Sequence, residues 1–126
     1  MLSVMAVAAL AMAVQDPGQW QDFGAGADGA RIALNLDSVE SGTDGPEAMV
    51  RLRYARPQAD GAAQADFRTV FNCGSRMVTR LRMGELDARG QIISRDDNGE
   101  RMPAVPAPAG TPMGEVLDLV CSMANG

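Results

Sequence analysis

The chain has 126 residues, a formal net charge of -5 at pH 7 and no histidine. Its 11 basic residues are all arginines. The lack of histidine and lysine therefore excludes histidine-based catalytic triads and lysine-based chemistry such as a Walker loop or a Schiff base. The acidic balance also argues against a general nucleic-acid binder, because phosphate binding depends on a positive surface.

The first predicted element is an apolar N-terminal run at 2–10, which ends in an Ala-x-Ala sequence at 11–13. This combination is typical of a secretory signal peptide. We therefore predict a signal at 1–13 and a single mature domain at 14–126, without a transmembrane helix after cleavage. The alternative interpretation is a buried N-terminal helix, which the turn sequence at 15–18 would end at once. Because the signal peptide directs export, we expect a periplasmic or secreted protein of a Gram-negative bacterium.

Alternation of apolar and polar residues predicts β-strands through most of the mature domain. A short first segment at 19–23 carries Trp20, four longer strands follow, and a last short strand is predicted at 91–94. Turn sequences at 41–46 and 57–64 separate the early strands. The residues assigned to the buried face of the sheet are Ile32, Leu34, Leu36, Val50, Leu52, Tyr54, Phe67, Phe71, Met77, Leu81 and Met83.

A C-terminal helix is predicted after a proline-rich, extended segment at 102–111. Thr111 can cap this helix, and Pro112 suits its first position. The apolar residues that follow repeat at helical spacing and form one stripe: Met113, Val116, Leu117 and Val120. The predicted fold class is α+β, an antiparallel meander of about five to six strands with one C-terminal helix packed on one face.

Cys73 and Cys121 are the only cysteines of the chain. Two cysteines in a small exported domain predict one disulfide. A zinc site would lack ligands, because the chain has no histidine to complete the coordination shell. The bridge would place the C-terminal helix on the strand face that carries Cys73, which is also the face to which every strand directs its apolar residues.

Five strand arginines form the main candidate binding site: Arg51, Arg53, Arg76, Arg80 and Arg82. Their alternation with the apolar positions predicts that all five lie on the open face of the sheet, away from the helix. Guanidinium groups match carboxylates and phosphates, so one interpretation is an anion-binding or partner-binding face. The other is a solvated surface whose arginines pair with acidic residues of neighbouring strands.

Carboxylates are the remaining candidates for catalysis or metal binding. The densest acidic stretch, at 96–100, does not fit a calcium loop, because its sixth position is Arg101 rather than glycine. We interpret it as a turn built on its Asn-Gly pair. The chain is therefore expected not to be an enzyme and to hold no cofactor or metal, with an enzyme that uses carboxylates alone as an alternative.

Several short motifs follow one another between residues 18 and 122. They are Trp20, Leu-Asp-Ser-Val at 36–39, Val-Arg-Leu-Arg-Tyr at 50–54, Phe-Asn-Cys at 71–73, Ile-Ile-Ser at 92–94 and a closing helix at 116–121. The order of these motifs and the placement of the two cysteines resemble those of the bacterial surface-adhesin protein E family. The resemblance implies an exported domain in which a disulfide ties a C-terminal helix to an antiparallel sheet.

The best-known member of that family is a dimeric outer-membrane lipoprotein that binds host matrix and plasma proteins. With no catalytic motif in the sequence, we expect an adhesin-like binding domain of the cell envelope. Its partner would be a protein or an envelope component, and a homodimer is one expected form. The alternative function is a periplasmic inhibitor or accessory protein of an envelope enzyme, which would act through an exposed loop at 57–64.

Overall fold

The computed structural model describes residues 18–95 and 101–125, so the expected signal peptide and the whole acidic stretch at 96–100 lie outside the described part. An antiparallel sheet and a C-terminal helix make up this part of the chain. In chain order the elements are β1 (Trp20–Ala25), β2 (Arg31–Asn35), a 3₁₀ turn (Leu36–Ser38), β3 (Glu40–Gly42), β4 (Gly45–Arg53), β5 (Ala62–Asn72), β6 (Met77–Asp87), β7 (Ile92–Arg95), β8 (Val105–Pro106) and α1 (Pro112–Asn125).

The sheet follows chain order with one interruption. Its main path is β1-β2-β4-β5-β6-β7, while the short strand β3 pairs with β4 and β8 pairs with β6. All of these pairings are antiparallel. The predicted α+β meander with a C-terminal helix is confirmed. None of the helical residues within the described ranges forms a segment long and apolar enough to cross a bilayer.

The core lies between one face of the sheet and α1. On the sheet it includes Ile32, Leu34 and Val50, which the alternation of β2 and β4 had identified correctly. The apolar stripe of α1 packs against them, with Val116, Leu117 and Val120 all buried. Other members of the cluster are Ala48, Phe71, Val78 and Ala107.

The register of β6 differs from the prediction. Val78 faces the helix, because it pairs with Phe71 and is only 1% exposed. Met83, predicted to be buried, is 38% exposed, and Met77 and Leu81 also lie on the register that points away from the helix. The turn at 73–76 decides the register, and a shift of one residue sends every side chain of a strand to the other face.

A disulfide joins Cys73, at the end of the β5–β6 hairpin, to Cys121 on α1, with a Cα–Cα distance of 6.0 Å and a sequence separation of 48. The predicted pairing is therefore present. Closing a loop of this length stabilises the fold by about 4 kcal/mol in the chain-entropy account. At the start of α1, the Thr111 hydroxyl accepts a hydrogen bond from the Gly114 N–H at 3.1 Å, as expected for a capping residue.

Candidate functional site

The five arginines that were predicted to share one face lie at three different places in the structure. Arg51 and Arg53 lie on the side of β4 that points away from the helix, as predicted. Arg80 and Arg82 lie on the helix-facing side, since Arg80 pairs with the buried residue Thr69. The prediction that all of these arginines share one open face was therefore wrong, and the cause is the register of β6.

Arg76 lies in the β5–β6 turn, apart from both groups of arginines on the sheet. Its backbone is in the left-handed region, with φ at 59°, which is uncommon for a residue with a side chain. Its Nη1 donates a hydrogen bond of 2.7 Å to Asp118 on α1, and this bond raises the pKa of the Arg76 guanidinium. Arg76 therefore ties the hairpin to the helix, beside the disulfide, and does not form part of an open surface.

Arg51 is the central residue of the open face, meaning the side of the sheet away from α1. Its Nε and Nη2 donate hydrogen bonds of 2.9 and 3.1 Å to the two carboxylate oxygens of Asp66 on β5. The Trp20 ring lies against the guanidinium, with its centroid 3.9 Å from Cζ. The side chain is held from two sides, and the residue is only 8% exposed. A two-point ion pair fixes the orientation of the guanidinium plane.

A cationic hollow of about 200 Å³ lies on one side of Arg51. Arg31 in this hollow pairs with Asp22, at 2.9 Å between Nη2 and Oδ2. The pKa of Asp22 is lowered first by a hydrogen bond from the Gly24 N–H, then by Arg31, with a smaller contribution from the charge of Arg53. The full lining is Trp20, Asp22, Arg31, Ile32, Ala33, Arg51 and Arg53.

Arg53 differs from the other two arginines of the cationic hollow. Among residues 18–95 and 101–125 it makes no ion pair, whereas Arg31 and Arg51 each have a carboxylate partner. It is also exposed, at the end of β4. A carboxylate that enters the cationic hollow would therefore meet a guanidinium with free donors.

A second hollow, of about 350 Å³, lies on the other side of Arg51; we call it the apolar hollow after its exposed residues Met83 and Ile92, although polar and charged side chains form about half of its lining. Its lining includes Met83 and Ile92, which are 38% and 54% exposed and are among the large apolar side chains left uncovered. Buried Glu85 borders it and accepts a 2.9 Å hydrogen bond from the Ser94 hydroxyl. The other lining residues are Met49, Arg51, Gln64, Asp66, Gly84, Leu86 and Ser94.

We call the two hollows, with the stack formed by Trp20, Arg51 and Asp66 between them, the open-face groove. Each hollow is small for a ligand site, at about 200 and 350 Å³, which suits one protruding side chain better than a large cofactor. Within the described residues, no three Asp, Glu or Cys side chains are grouped to hold a metal ion. The groove therefore offers apolar contact and charge pairing.

Sequence reasoning missed the apolar half of the groove and the role of Asp66. Asp66 could have been found in part, because setting β4 and β5 with their apolar residues on one face puts Arg51 and Asp66 on the same side of the sheet, where the register then pairs them. The position of Trp20 could not, because it depends on how β1 pairs with β2. The predicted loop at 57–64 is shorter in the structure, since β5 already begins at Ala62.

No protein-family model matches the chain, and neither does any curated protein or solved structure. The resemblance to the surface-adhesin protein E family therefore rests on the sequence motifs alone and stays a prediction.

Proposed function

We propose that this protein is an exported, non-enzymatic binding domain of the cell envelope, and that it holds a partner protein in the open-face groove. The observation that carries the proposal is the juxtaposition of an apolar hollow and a cationic hollow on either side of Arg51. Binding hot spots commonly combine a pocket for an apolar anchor with a fixed charge at its border.

The two hollows define the chemistry of the partner. An apolar side chain in the apolar hollow would cover Met83 and Ile92, and removing apolar surface from water is worth about 25 cal/mol per Å². Methionines such as Met49 and Met83 adapt their shape to what they contact. A carboxylate close to the anchor would reach Arg53 in the cationic hollow. The expected partner segment thus carries an apolar residue near an aspartate or glutamate.

The disulfide between Cys73 and Cys121 supports the exported part of the proposal. Structural disulfides persist in oxidising compartments such as the periplasm and the extracellular space. The resemblance to an adhesin family supports the same location, together with the apolar run and Ala-x-Ala sequence at the N-terminus.

Site-specific photo-crosslinking tests this function. A photo-reactive amino acid is placed at Met83 in the groove, and in a control protein at Met123, which is 43% exposed on α1. Both are irradiated in envelope extract, and the adducts are identified by mass spectrometry. We expect one protein to be linked from Met83 and not from Met123, and the link to be lost when Ile92→Asp is added. Identical adducts from both positions would overturn the proposal.

A second candidate function, inhibition of an envelope enzyme, is favoured by the loop between β4 and β5. Residues 55–60 are all exposed, and the Gly61 N–H donates a 2.8 Å hydrogen bond to the Gln58 carbonyl, which gives the loop a defined shape. Replacing 57–60 by Gly-Ser repeats separates the two functions. An inhibitor would lose its partner in this variant, whereas a groove binder would keep the adduct formed at Met83.

A further inference from the structure

A second group of residues on the helix-facing side of the sheet lies beyond the core that α1 covers. Arg80 and Arg82 are two positions apart on β6 and stand opposite Thr69 and Phe67 of β5. Directly opposed residues of antiparallel strands point to the same face, so both arginine side chains leave the sheet on the side of Phe67. A spacing of two residues separates their Cα atoms by about 6.8 Å.

These two arginines differ from the paired arginines of the protein in having no acidic partner among the residues that the structure describes. Within the described residues, neither Arg80 nor Arg82 makes an ion pair. The arginines that do are Arg31, Arg51, Arg68 and Arg76. The Nε atoms of Arg80 and Arg82 are out of contact with water and have no hydrogen-bond partner there. A buried donor without an acceptor is costly, so a rearrangement that brings either Nε to an acceptor is favoured.

The arginines rest on a rigid base. The Arg80 guanidinium carbon lies 5.2 Å from the centroid of the Phe67 ring, which is within reach of a cation–π interaction. Phe67 is itself buried at 2% exposure, so it cannot move away. Both arginine residues remain partly exposed, which leaves a path from solvent to their guanidinium groups.

One acidic residue, Glu85, lies on the same side of the sheet as the two arginines, since it stands opposite the buried residue Ala65. Glu85 is buried and accepts a 2.9 Å hydrogen bond from the Ser94 hydroxyl. Within residues 18–95 and 101–125, it forms no ion pair with Arg80 or Arg82.

We propose that Arg80 and Arg82 form a binding site for a phosphate group. Two guanidinium forks can supply several N–H donors to one group with three or more acceptor oxygens, which a phosphate provides and a single carboxylate does not. The site lies on the face opposite the open-face groove, so its test does not depend on the proposed function. The phosphate comes either from solution or from an envelope glycolipid.

The test is an NMR titration that follows the Nε–H signals of the arginines. Inorganic phosphate is added to one sample and a phosphate-bearing glycolipid in bicelles to another, with acetate as the carboxylate comparison. We expect saturable shifts of the Arg80 and Arg82 signals with at least one phosphate source. Saturation by inorganic phosphate identifies a solution ligand, and saturation by the glycolipid alone identifies a lipid headgroup. No saturable shift with either source, or equal shifts with acetate, would overturn the site.

Variants of matched charge separate a built site from general attraction. Arg80→Gln with Arg82→Gln should weaken phosphate binding at least about tenfold, since hydrogen bonds to charged groups are the stronger kind. Arg56→Gln with Arg89→Gln removes the same charge from exposed positions and should change binding less than about twofold. Arg82→Lys keeps the charge but loses the fork, so it should also weaken binding. Equal losses in both double variants would reject the proposal.

Discussion

Trp20 and Arg51 are stacked on the open face of the sheet, with 3.9 Å between the ring centroid and the guanidinium carbon. The two residues come from β1 and β4, which do not pair with each other, because β2 lies between them. Their contact therefore reaches across β2, and both residues line the cationic hollow. It makes the stack a structural link across the sheet as well as the centre of the proposed groove.

Replacing Trp20 by alanine should destabilise the protein and open the cationic hollow. We expect a loss of about 1–2 kcal/mol, from the cation–π contact and the apolar area that the ring covers. Urea unfolding followed by circular dichroism measures it. Trp20→Phe keeps an aromatic face over Arg51 and should lose less; equal losses in the two variants would show that the stack contributes nothing.

The ion pair between Arg51 and Asp66 should matter more for stability than the exposed pair between Arg31 and Asp22. Asp66→Asn weakens a charge-assisted pair whose arginine side chain is only 10% exposed, and we expect a loss of about 1–3 kcal/mol. Asp22→Asn removes a carboxylate from a pair whose side chains are 57% and 55% exposed, where solvent screening leaves a small effect. Urea midpoints of the two variants are compared, and a larger loss for Asp22→Asn would contradict the burial argument.

The register of β6 can be tested by truncating one residue on each of its faces. Val78→Ala should cost about 2 kcal/mol, because it leaves a cavity in the core beneath α1. Met83→Ala, on the exposed register, should change the free energy of unfolding by less than about 0.5 kcal/mol. The opposite order in a thermal or urea unfolding experiment would indicate that the strand is shifted by one residue.

Removal of the disulfide should lower stability by about 4 kcal/mol, since the unfolded chain regains the freedom of a long loop. Cys73→Ser with Cys121→Ser is compared with the oxidised protein by thermal unfolding. Peptide mapping without reductant provides the matching control, because it should recover the two cysteines in one linked peptide pair. A free thiol at either position would contradict both the bridge and the position of α1.

Stability should decrease in acid through Asp87, the last residue of β6 before the turn to β7. Its pKa is lowered chiefly by the hydrogen bond from the Gln91 N–H, and also by that from the Arg89 N–H. A carboxylate whose pKa is lower in the folded state stabilises the fold above the usual aspartate pKa of about 4. This contribution is lost as pH falls through the folded-state value. Urea midpoints between pH 7 and pH 2.5 should fall less steeply in Asp87→Asn than in the unaltered protein.

The fold class, the disulfide and the helix stripe were predictable because each depends on a local pattern. Alternation in β2 and β4 identified Ile32, Leu34 and Val50, and helical spacing identified Val116 and Leu117 as core residues. In β2 and at 50–53 of β4 the large apolar residues occupy one register only. The period of the pattern then specifies which face is buried, without any knowledge of the neighbouring strands.

The candidate site was not predictable in the same way. The β6 sequence carries apolar residues in both registers, with Val78 in one and Leu81 in the other, so alternation alone favours the wrong face. The turn at 73–76 sets Val78 opposite Phe71 and so fixes the register of β6. In this register Arg80 and Arg51 lie on opposite faces of the sheet. Local sequence thus determined which segments are strands and which is the helix. Only the tertiary structure decided which arginines are neighbours, because strand register depends on turn geometry and on pairing between distant segments.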